Sequence, residues 1–477
     1  MLWIGLHLPR LPLEIFTRGG PAAEPLVVCD AARDPCIVIA SEAAQRRGIR
    51  TGMKLSAAHA LANNLCVRTR DAAAEHAALT RLAAWAGQFT PAVSLAPEAL
   101  LLDIEGSLAL FGDLAALLGR VHEGIEALGY RAQPAVAPTP LAAEWLARAQ
   151  PGAVIADATK LASRLAPLPL GGTGLAPATI ALLDNMGVRT LGDLLRLPRA
   201  GLARRLGAET VHRLDRALGR APDPREPYVP PETFEARLPL PGAVENTEGL
   251  SFPLKRLLLE LCGFLTARGA GAQAIALALH HPRAAVTEVR LALTAPTRDA
   301  RHLGELYRER LARSALPEPV EALTLRVPQI FSLHARNLDF FNPRHTPAEA
   351  GAALIERLRA RLGREAVQGL SPVAEHRPER AWRYAAPGAA GAEARFPPRP
   401  LWLLPEPVAL EVSNDGAPQL DGPLALLPER ERIESGWWDG GEIARDYCIA
   451  RNDRGAQFWI FRELAGERRW WLHGVFG

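Results

Sequence analysis

The chain alternates between short runs of apolar residues and segments whose apolar residues recur every three or four positions. Short apolar runs are typical of buried strands, and the longer spacing is typical of amphipathic helices. In the first third, the runs predict strands at 2–8, 26–29, 36–40, 131–137 and one continuous buried strand at 93–106. The helical spacing predicts helices at 41–47, 72–88 and 113–128.

The same two patterns return beyond a Pro-rich and charged linker at 222–231. They predict helices at 253–268, 301–311 and 347–363, and strands at 273–280, 287–294 and 320–327. The last 77 residues contain further strand-like segments and six of the ten Trp. This mixture predicts an α+β fold that is divided into several domains.

A helix, a hydrophobic-Gly-hydrophobic turn and a second helix are predicted between Leu182 and Leu195. The turn is Met186-Gly187-Val188, and Thr190 is placed to cap the second helix. Backbone N–H groups at such a turn can hold a DNA phosphate without reading the bases. Residues 168–220 hold eight Arg, including Arg204 and Arg205, against four acids, which favours DNA binding here. A plain helical bundle remains the alternative.

Composition excludes several classes of protein. The 477 residues are 48% hydrophobic and 22% charged, which is typical of a globular protein of three or four domains. The five Cys form no Cys-x-x-Cys pair, so neither a zinc site nor a disulfide framework is expected. The first residues do not resemble a signal peptide, and no apolar run approaches the roughly 18 residues of a membrane span. We therefore expect a cytoplasmic protein with no membrane partner.

The stretch from Glu98 to Asp103 resembles the palm motif of the Y-family DNA polymerases, an Asp-Glu pair followed by two apolar residues and Leu-Asp. In this resemblance, Glu98 stands at a metal-binding Asp and Ala99 at the following catalytic Glu. The first strand of that family carries Asp-x-Asp, and here Gly5 and His7 occupy those positions. Nucleotidyl transfer needs two Mg²⁺ ions held by clustered carboxylates. The resemblance thus implies a degenerate catalytic site, with no bound metal and no cofactor.

Substitutions in two further phosphate-binding segments of the family also indicate that catalysis is lost. The family's Ser-Tyr-Glu-Ala-Arg segment, which grips the incoming triphosphate, corresponds to 41–45, where Tyr has become Glu42 and Arg has become Gln45. A carboxylate repels a triphosphate, and Gln cannot make a cationic bidentate contact. The two Lys of the family's Asn-Lys-x-x-Ala-Lys segment are replaced by Pro140 and Glu144. We therefore predict that the chain is not an enzyme.

The same resemblance implies a hand-like architecture of palm, fingers, thumb and little finger, followed by an additional C-terminal region. The boundaries that it implies are 1–10 and 70–165 for the palm, 11–69 for the fingers, 166–222 for the helix-hairpin-helix thumb and 232–334 for the little finger. Beyond these we expect a clamp-binding linker at 335–345, a helical segment at 346–384 and a strand-rich domain at 401–477.

The linker contains Asn337-Leu338-Asp339-Phe340-Phe341. This peptide resembles the Gln-Leu-x-Leu-Phe motif by which bacterial polymerases bind the sliding clamp, with Asn in place of Gln. Leu338, Phe340 and Phe341 would be the apolar anchors of a small binding hot spot.

The C-terminal run 371–382 and the Trp437-Trp438 loop resemble the ImuB family, which comprises catalytically degenerate, polymerase-like proteins of the bacterial mutagenesis cassette. This resemblance implies a non-catalytic adaptor in damage-inducible, error-prone translesion synthesis. Its implied partners are the sliding clamp, an ImuA-type RecA-like protein, an error-prone C-family polymerase and DNA of any sequence. Two alternatives stay open: a weakly active polymerase that uses Glu98, Asp103 and Glu105, and a stand-alone DNA-binding scaffold.

Overall fold

The computed structural model describes residues 1–20, 24–333, 347–389, 391 and 396–477. These residues form two compact units, Met1–Arg361 and Leu362–Gly477. Helices and strands mix in the first unit, whereas the second is built mainly from strands. The described elements confirm the predicted α+β class.

The first 150 residues combine a four-stranded and a three-stranded sheet with seven α-helices in the described part. The elements are β1 (Trp3–His7), α1 (Leu11–Thr17), β2 (Leu26–Cys29), β3 (Ile37–Ala40), α2 (Glu42–Arg46), α3 (Leu55–Leu61), β4 (Cys66–Thr69), α4 (Ala72–Ala86), β5 (Val93–Ala96), β6 (Ala99–Asp103), α5 (Leu108–Phe111), α6 (Leu114–Ala127), β7 (Gln133–Ala137) and α7 (Pro140–Ala149).

The four-stranded sheet pairs in the order β5-β6-β1-β7, with every neighbouring pair antiparallel. Because successive side chains of a strand point to opposite faces, β1 divides its residues between two cores. Ile4 and Leu6 pack with α4 and α6, whereas Trp3 packs on the opposite face with α7. The odd-numbered positions of β1, which include Gly5 and His7, therefore share the α7 face.

Residues 93–106 do not form the single strand that the sequence predicts. They form β5 and β6, joined by the turn Pro97-Glu98, with Ala96 paired to Ala99. Glu98 has a φ of 55°, the left-handed conformation found at the third position of a type II turn, and Pro favours the position before it. The prediction failed because only two residues interrupt the apolar run.

The three-stranded sheet has the order β3-β2-β4, in which β2 is antiparallel to β3 and parallel to β4. The helix α2 follows β3 directly, and Ser41 caps it by accepting a hydrogen bond from Ala44 N at 3.3 Å. This cap confirms the predicted start of the helix.

A helical region follows, composed of α8 (Leu161–Leu165), α9 (Pro177–Asn185), α10 (Leu191–Arg196), α11 (Arg199–Leu206) and α12 (Ala208–Ala217). Its buried residues Leu183, Leu191 and Leu194 share one core with α7 and with the α7 face of the four-stranded sheet. The helical region is therefore packed directly beside the predicted catalytic positions.

The rest of the first unit is a five-stranded sheet with helices on one face. Its elements are β8 (Phe234–Val244), α13 (Ser251–Ala267), β9 (Ala270–His280), β10 (Thr287–Thr297), α14 (Ala300–Leu311), β11 (Val320–Val327), β12 (Ile330–Ser332) and α15 (Pro347–Leu362). The strand order is β10-β9-β11-β8, with β12 beside β9. On α15, Ala360 joins the core, whereas Leu354 and Leu358 are exposed.

The second unit contains a five-stranded antiparallel sheet of order β15-β21-β20-β19-β18 and two small two-stranded sheets. Its strands are β13 (Gly369–Pro372), β14 (Trp382–Ala385), β15 (Trp402–Ala409), β16 (Glu411–Val412), β17 (Pro418–Gln419), β18 (Ala425–Ser435), β19 (Ile443–Arg451), β20 (Gln457–Glu463) and β21 (Trp470–Val475). In the segment predicted as helical at 346–384, the α-helix thus ends at Leu362, and the strands β13 and β14 follow with a short 3-10 helix, Pro378–Arg380, between them.

Candidate functional site

Gly5 lies at the centre of β1, paired with Leu101 on one side and Ala135 on the other. A Cβ atom placed on Gly5 would lie 2.4 Å from the carbonyl oxygen of Ala143 and 2.9 Å from the amide nitrogen of Glu144. Both are backbone atoms of α7, so they cannot move aside as a flexible side chain could. The backbone of α7 therefore fills the space that a carboxylate at position 5 would need.

His7 and Ala99 face each other across the same pair of strands. Ala99 is fully buried and contributes only a methyl group. His7 is half-buried, and its Nδ1 is hydrogen-bonded to Oε1 of Gln133 at 3.2 Å. Burial lowers the pKa of His7 from its usual 6.5, so the ring is neutral at pH 7. This pair offers no carboxylate, and one ring nitrogen is already engaged.

Glu98, the remaining predicted carboxylate, forms an ion pair with Arg70. Its Oε1 lies 3.1 Å from Nη2 of Arg70, and the same guanidinium binds Glu75 at 2.8 Å. The side chain of Glu98 is 39% exposed, so this ion pair is screened by water. Sequence reasoning missed Arg70, because the contact depends on how β4 ends beside the β5–β6 turn.

The geometry does not fit a pair of magnesium ions. Two-metal sites need carboxylates clustered around ions about 3.5–4 Å apart. Position 5 has no room for a carboxylate, position 99 holds a methyl group, and Glu98 pairs with Arg70. Among the described residues, no group of three or more His, Cys, Asp or Glu could hold a metal ion.

A cation of the protein itself lies beside these positions. Arg148, near the end of α7, donates from Nη2 to the carbonyl oxygen of Pro97 and to Oε1 of Glu144 at 3.3 Å. Its charge also contributes to the lowered pKa of His7, although burial is the larger cause. Sequence reasoning missed Arg148. The only available signal was its i,i+4 spacing from Glu144, which is common on ordinary helices.

The predicted triphosphate-binding positions are also engaged within the chain. Oε1 of Glu42 accepts hydrogen bonds from Arg10 at 3.0 Å and from Arg131 at 2.8 Å. These two bonds, that of Arg10 first, hold the pKa of Glu42 below its usual range, so the side chain is a carboxylate at neutral pH. Gln45 donates its amide to the carbonyl oxygen of Ala40 at 3.0 Å.

The predicted helix-hairpin-helix has the expected geometry. α9 and α10 flank the turn, Gly187 has the left-handed φ of 76°, and Val188 is buried beneath it. Thr190 caps α10 in a capping box with Asp193, accepting from Asp193 N at 3.1 Å. The turn and its cap are confirmed as local structure, and the DNA-binding role of these residues stays a prediction.

A second, tighter turn at a glycine lies next to it. α11 and α12 are joined at Gly207, which has a φ of 86°. Arg205, two residues earlier, donates to the sulfur of Met186 in the first turn at 3.3 Å. Arg204 and Arg205 are exposed, and no described acid pairs with either side chain. The pattern Leu206-Gly207-Ala208 could have predicted this second turn.

The predicted clamp-binding residues Asn337, Leu338, Asp339, Phe340 and Phe341 lie outside the described residues. None of the described helices is long and apolar enough to cross a membrane.

Residues 21–148 match the impB/mucB/samB family. The chain is 32% identical to Protein ImuB of Caulobacter vibrioides (strain NA1000 / CB15N), over 90% of this chain and 100% of that protein. It is 26% identical to DNA polymerase IV of Caulobacter vibrioides, over 41% of this chain and 48% of that protein. Among solved structures, the chain is similar to DinB from Sulfolobus solfataricus, with 16% identity and a TM-score of 0.39. It is also similar to the insertion ternary complex of Dbh DNA polymerase, with 16% identity and a TM-score of 0.41. Each match covers 70% of this chain and 100% of the other chain. The chain belongs to the ImuB family of Y-family polymerase-like proteins.

Proposed function

We propose that this protein is a non-catalytic, polymerase-like adaptor in error-prone translesion DNA synthesis. The observation that carries the proposal is the contact between Gly5 and the backbone of α7, which leaves no space for a metal-binding side chain. Ala99 at the neighbouring position removes a second carboxylate. Without clustered carboxylates, the two metal ions of nucleotidyl transfer have no ligands.

The predicted phosphate-binding positions support the same conclusion. Glu42 places a carboxylate where the family has a triphosphate-binding Tyr, and it already holds Arg10 and Arg131. An incoming triphosphate would have to break both ion pairs and would then face a free carboxylate. Glu144 stands where the family has a Lys, and it is buried and paired with Arg148, so this position adds no cation for a triphosphate.

The alternative of a weakly active polymerase finds no support in the geometry. Glu98 lies in the β5–β6 turn, and Asp103 ends β6 five residues later. A strand rises about 3.3 Å per residue, so the two are roughly 16 Å apart. Glu105 pairs with the N-terminal amine of Met1 at 2.8 Å. Three carboxylates spread in this way do not make one metal site.

We further propose that the helical region binds DNA without sequence preference. The turn at 186–188 and the turn at Gly207 are adjacent, and Arg204 and Arg205 extend from the same surface without acidic partners. The N–H groups of Gly187, Val188 and Gly207 are hydrogen-bonded within the chain, so the two exposed guanidinium groups are the proposed phosphate contacts. Neither group reads bases, so binding should depend on salt and not on sequence.

The proposed partners are the sliding clamp, an ImuA-type RecA-like protein and an error-prone C-family polymerase. Membership of the ImuB family supports them, and the peptide at 337–341 is the proposed clamp contact. A stand-alone DNA-binding scaffold would bind DNA and none of these three proteins.

Primer extension tests the catalytic part of the proposal. The purified protein, with Mg²⁺ or Mn²⁺ and all four nucleotides, should extend no primer, while an active Y-family polymerase serves as the positive control. Glu98→Gln is the matched variant, since it removes the one remaining predicted ligand. Template-dependent extension that disappears in Glu98→Gln would overturn the proposal and favour the weak polymerase.

Clamp titration tests the adaptor part. Changing Leu338, Phe340 and Phe341 together to Ala should abolish clamp binding, with a loss of roughly 2 kcal/mol or more. DNA binding and the circular dichroism spectrum should stay unchanged. Normal clamp binding by the folded triple variant would place the contact elsewhere. Absence of clamp, ImuA-type and C-family polymerase binding by the intact protein would favour the scaffold.

A further inference from the structure

A cavity of about 530 Å³ opens beside the degenerate catalytic positions, between α7, α12 and the β5–β6 turn. Four Arg line it: Arg148, Arg213, Arg216 and Arg225. All four belong to the first unit, and they reach the cavity from α7, from α12 and from the linker that follows α12. The net charge of the cavity depends on the acids that lie beside these four guanidinium groups.

Three acids also line the cavity, and each has its own Arg. Glu144 pairs with Arg148 at 3.3 Å, Glu209 with Arg216 at 3.4 Å, and Asp223 with Arg225 at 2.7 Å. The fourth guanidinium therefore has no acidic counterpart among the described residues. The cavity carries an excess of one positive charge.

That fourth residue, Arg213, is oriented by the backbone. Its Nη2 donates to the carbonyl oxygen of Thr173 at 2.9 Å, and its Nη1 donates to that of Gly174 at 3.4 Å. Gly174 has a φ of 68°, and a Cβ atom there would lie 3.1 Å from Nη2. The glycine thus allows a close approach that fixes the guanidinium while leaving its charge uncompensated.

Two more donors at this cavity lack partners. Nε of Arg148 and Nε of Arg225 are both buried, and neither makes a hydrogen bond among the described residues. Because these two nitrogens are closed off from the cavity, a ligand would meet the remaining donors of the guanidinium groups. Phosphate oxygens are the acceptors that guanidinium groups bind best.

We propose that this cavity binds a phosphate group of a nucleic-acid strand without any metal ion, with Arg148 and Arg213 as its principal contacts. The inference rests on the proposed DNA binding and names a second contact beyond the helix-hairpin-helix turns. Arg148 supplies a permanent positive charge beside His7 and Pro97, where an active polymerase would depend on divalent cations. The chain therefore holds its phosphate ligand by a cation of its own.

The phosphate group could belong to the backbone of DNA or to a free nucleotide. A free nucleotide would occupy only the cavity, whereas a DNA strand would also reach the turns at 186–188 and at Gly207. We therefore propose a DNA strand as the ligand. Inorganic phosphate and a nucleoside triphosphate serve as the competing probes, each in the presence of EDTA.

Fluorescence anisotropy with a labelled primer–template duplex tests the proposal at constant ionic strength. Affinity should agree within about twofold between Mg²⁺ and EDTA, since Mg²⁺ acts only as a counterion for phosphate. Arg148→Gln and Arg213→Gln should each weaken binding several-fold and reduce the slope of log K against log salt by about one. Arg148→Lys and Arg213→Lys, which keep the charge, should recover most of the affinity.

Arg290→Gln is the matched control, because Arg290 is an exposed Arg of the five-stranded sheet that is paired with Glu288. It should leave binding unchanged, and circular dichroism establishes that every variant is folded. Full affinity in both Gln variants, or loss of binding in EDTA, would overturn the cavity proposal. Competition by triphosphate at micromolar concentration would overturn the choice of a strand.

The failure of this inference is distinguishable from failure of the proposed function. If Arg204→Glu with Arg205→Glu abolishes DNA binding while the cavity variants bind normally, only the cavity proposal fails. If the intact protein binds no DNA at all, the proposed DNA binding fails as well.

Discussion

At the scale of single residues, Gly5 decides more about this site than any charged group. A hydrogen atom at this position allows α7 to pack its backbone directly on β1, and the same contact excludes every other side chain. Restoring a carboxylate would therefore need the helix to move, in addition to a change of residue.

Gly5→Ala should lower the free energy of unfolding by about 1–3 kcal/mol, the usual cost of overpacking. Gly5→Asp should cost more, because it also buries a carboxylate, and it should restore no primer extension. Urea unfolding measures the stability of both variants.

The control is Gly119→Ala on α6, where a Cβ atom would meet nothing within 4 Å. That change should stabilise the protein by up to about 1 kcal/mol, since Ala is the better helix former. Wild-type stability in Gly5→Ala would contradict the close packing.

Glu14 is the second informative residue. It is buried, Arg131 N donates to its Oε1 at 3.1 Å, and its Oε2 has no hydrogen-bond partner in the described part of the chain. Burial raises the pKa of Glu14 from 4.5 to about 7. A carboxyl group whose pKa is higher in the folded state destabilises the fold progressively as pH rises from 4.5 through 7.

Glu14→Gln should therefore change stability in a pH-dependent way. The variant should resemble the wild type near pH 4.5, where both side chains are uncharged, and should become the more stable protein by pH 8. Urea unfolding at several pH values checks the sign. An advantage that shrinks as pH rises would show that Glu14 is stabilised as a carboxylate.

At the scale of elements, the paired turns of the helical region form the proposed DNA contact. Arg205 connects them through Met186, so the two turns are adjacent and the exposed Arg204 and Arg205 lie beside both of them. A charge reversal there tests the contact without touching the core, because both Arg are exposed.

Arg204→Glu with Arg205→Glu should weaken DNA binding at least tenfold at low salt, because two phosphate contacts are replaced by repulsion. The loss should be equal for unrelated DNA sequences, and it should shrink as salt is raised. Reversing Arg290 is the control and should change affinity little. A loss that differs strongly between sequences would indicate base contacts, which these turns do not provide.

At the scale of the whole first unit, buried ion pairs connect α4 and the end of α1 to α13, the helix that packs on the five-stranded sheet. Glu260 on α13 is 2% exposed, its Oε2 lies 2.6 Å from Nη2 of Arg18, and its Oε1 lies 2.9 Å from Nε of Arg81. Arg18 also donates to the hydroxyl of Tyr130. Nearby, a Cβ atom on Gly263 would collide with the ring of Trp85. Close packing and buried charge together hold α13 against α4 and the end of α1.

Glu260→Ala should destabilise the first unit by roughly 3–5 kcal/mol, because it leaves two Arg buried without a counterion. Glu288→Ala is the control, since its exposed pair with Arg290 should contribute less than about 1 kcal/mol. Urea unfolding and hydrogen exchange of α13 measure the effect. Equal stability of the two variants would mean that the buried ion pairs do not hold α13 against α4 and the end of α1.

The sequence by itself determined the local structure. The apolar spacing placed β1, α4, α6 and most of the five-stranded sheet, because the periods of helix and strand are local properties of the chain. Ser41 and Thr190 were recognisable as caps, and the turn at 186–188 was recognisable by its glycine. Alignment with the Y-family motifs identified positions 5, 7, 98 and 99 as the predicted catalytic positions.

Only the tertiary structure decided what surrounds those positions. The packing of α7 on Gly5, the pairing of Glu98 with Arg70, and the meeting of Arg148 with Arg213 at one cavity join residues that are distant in sequence. No periodicity records such contacts, since they depend on how helices and sheets pack after they have formed. The turn at Pro97-Glu98 belongs with them, because the antiparallel pairing of β5 with β6 selects that turn from an otherwise continuous apolar run.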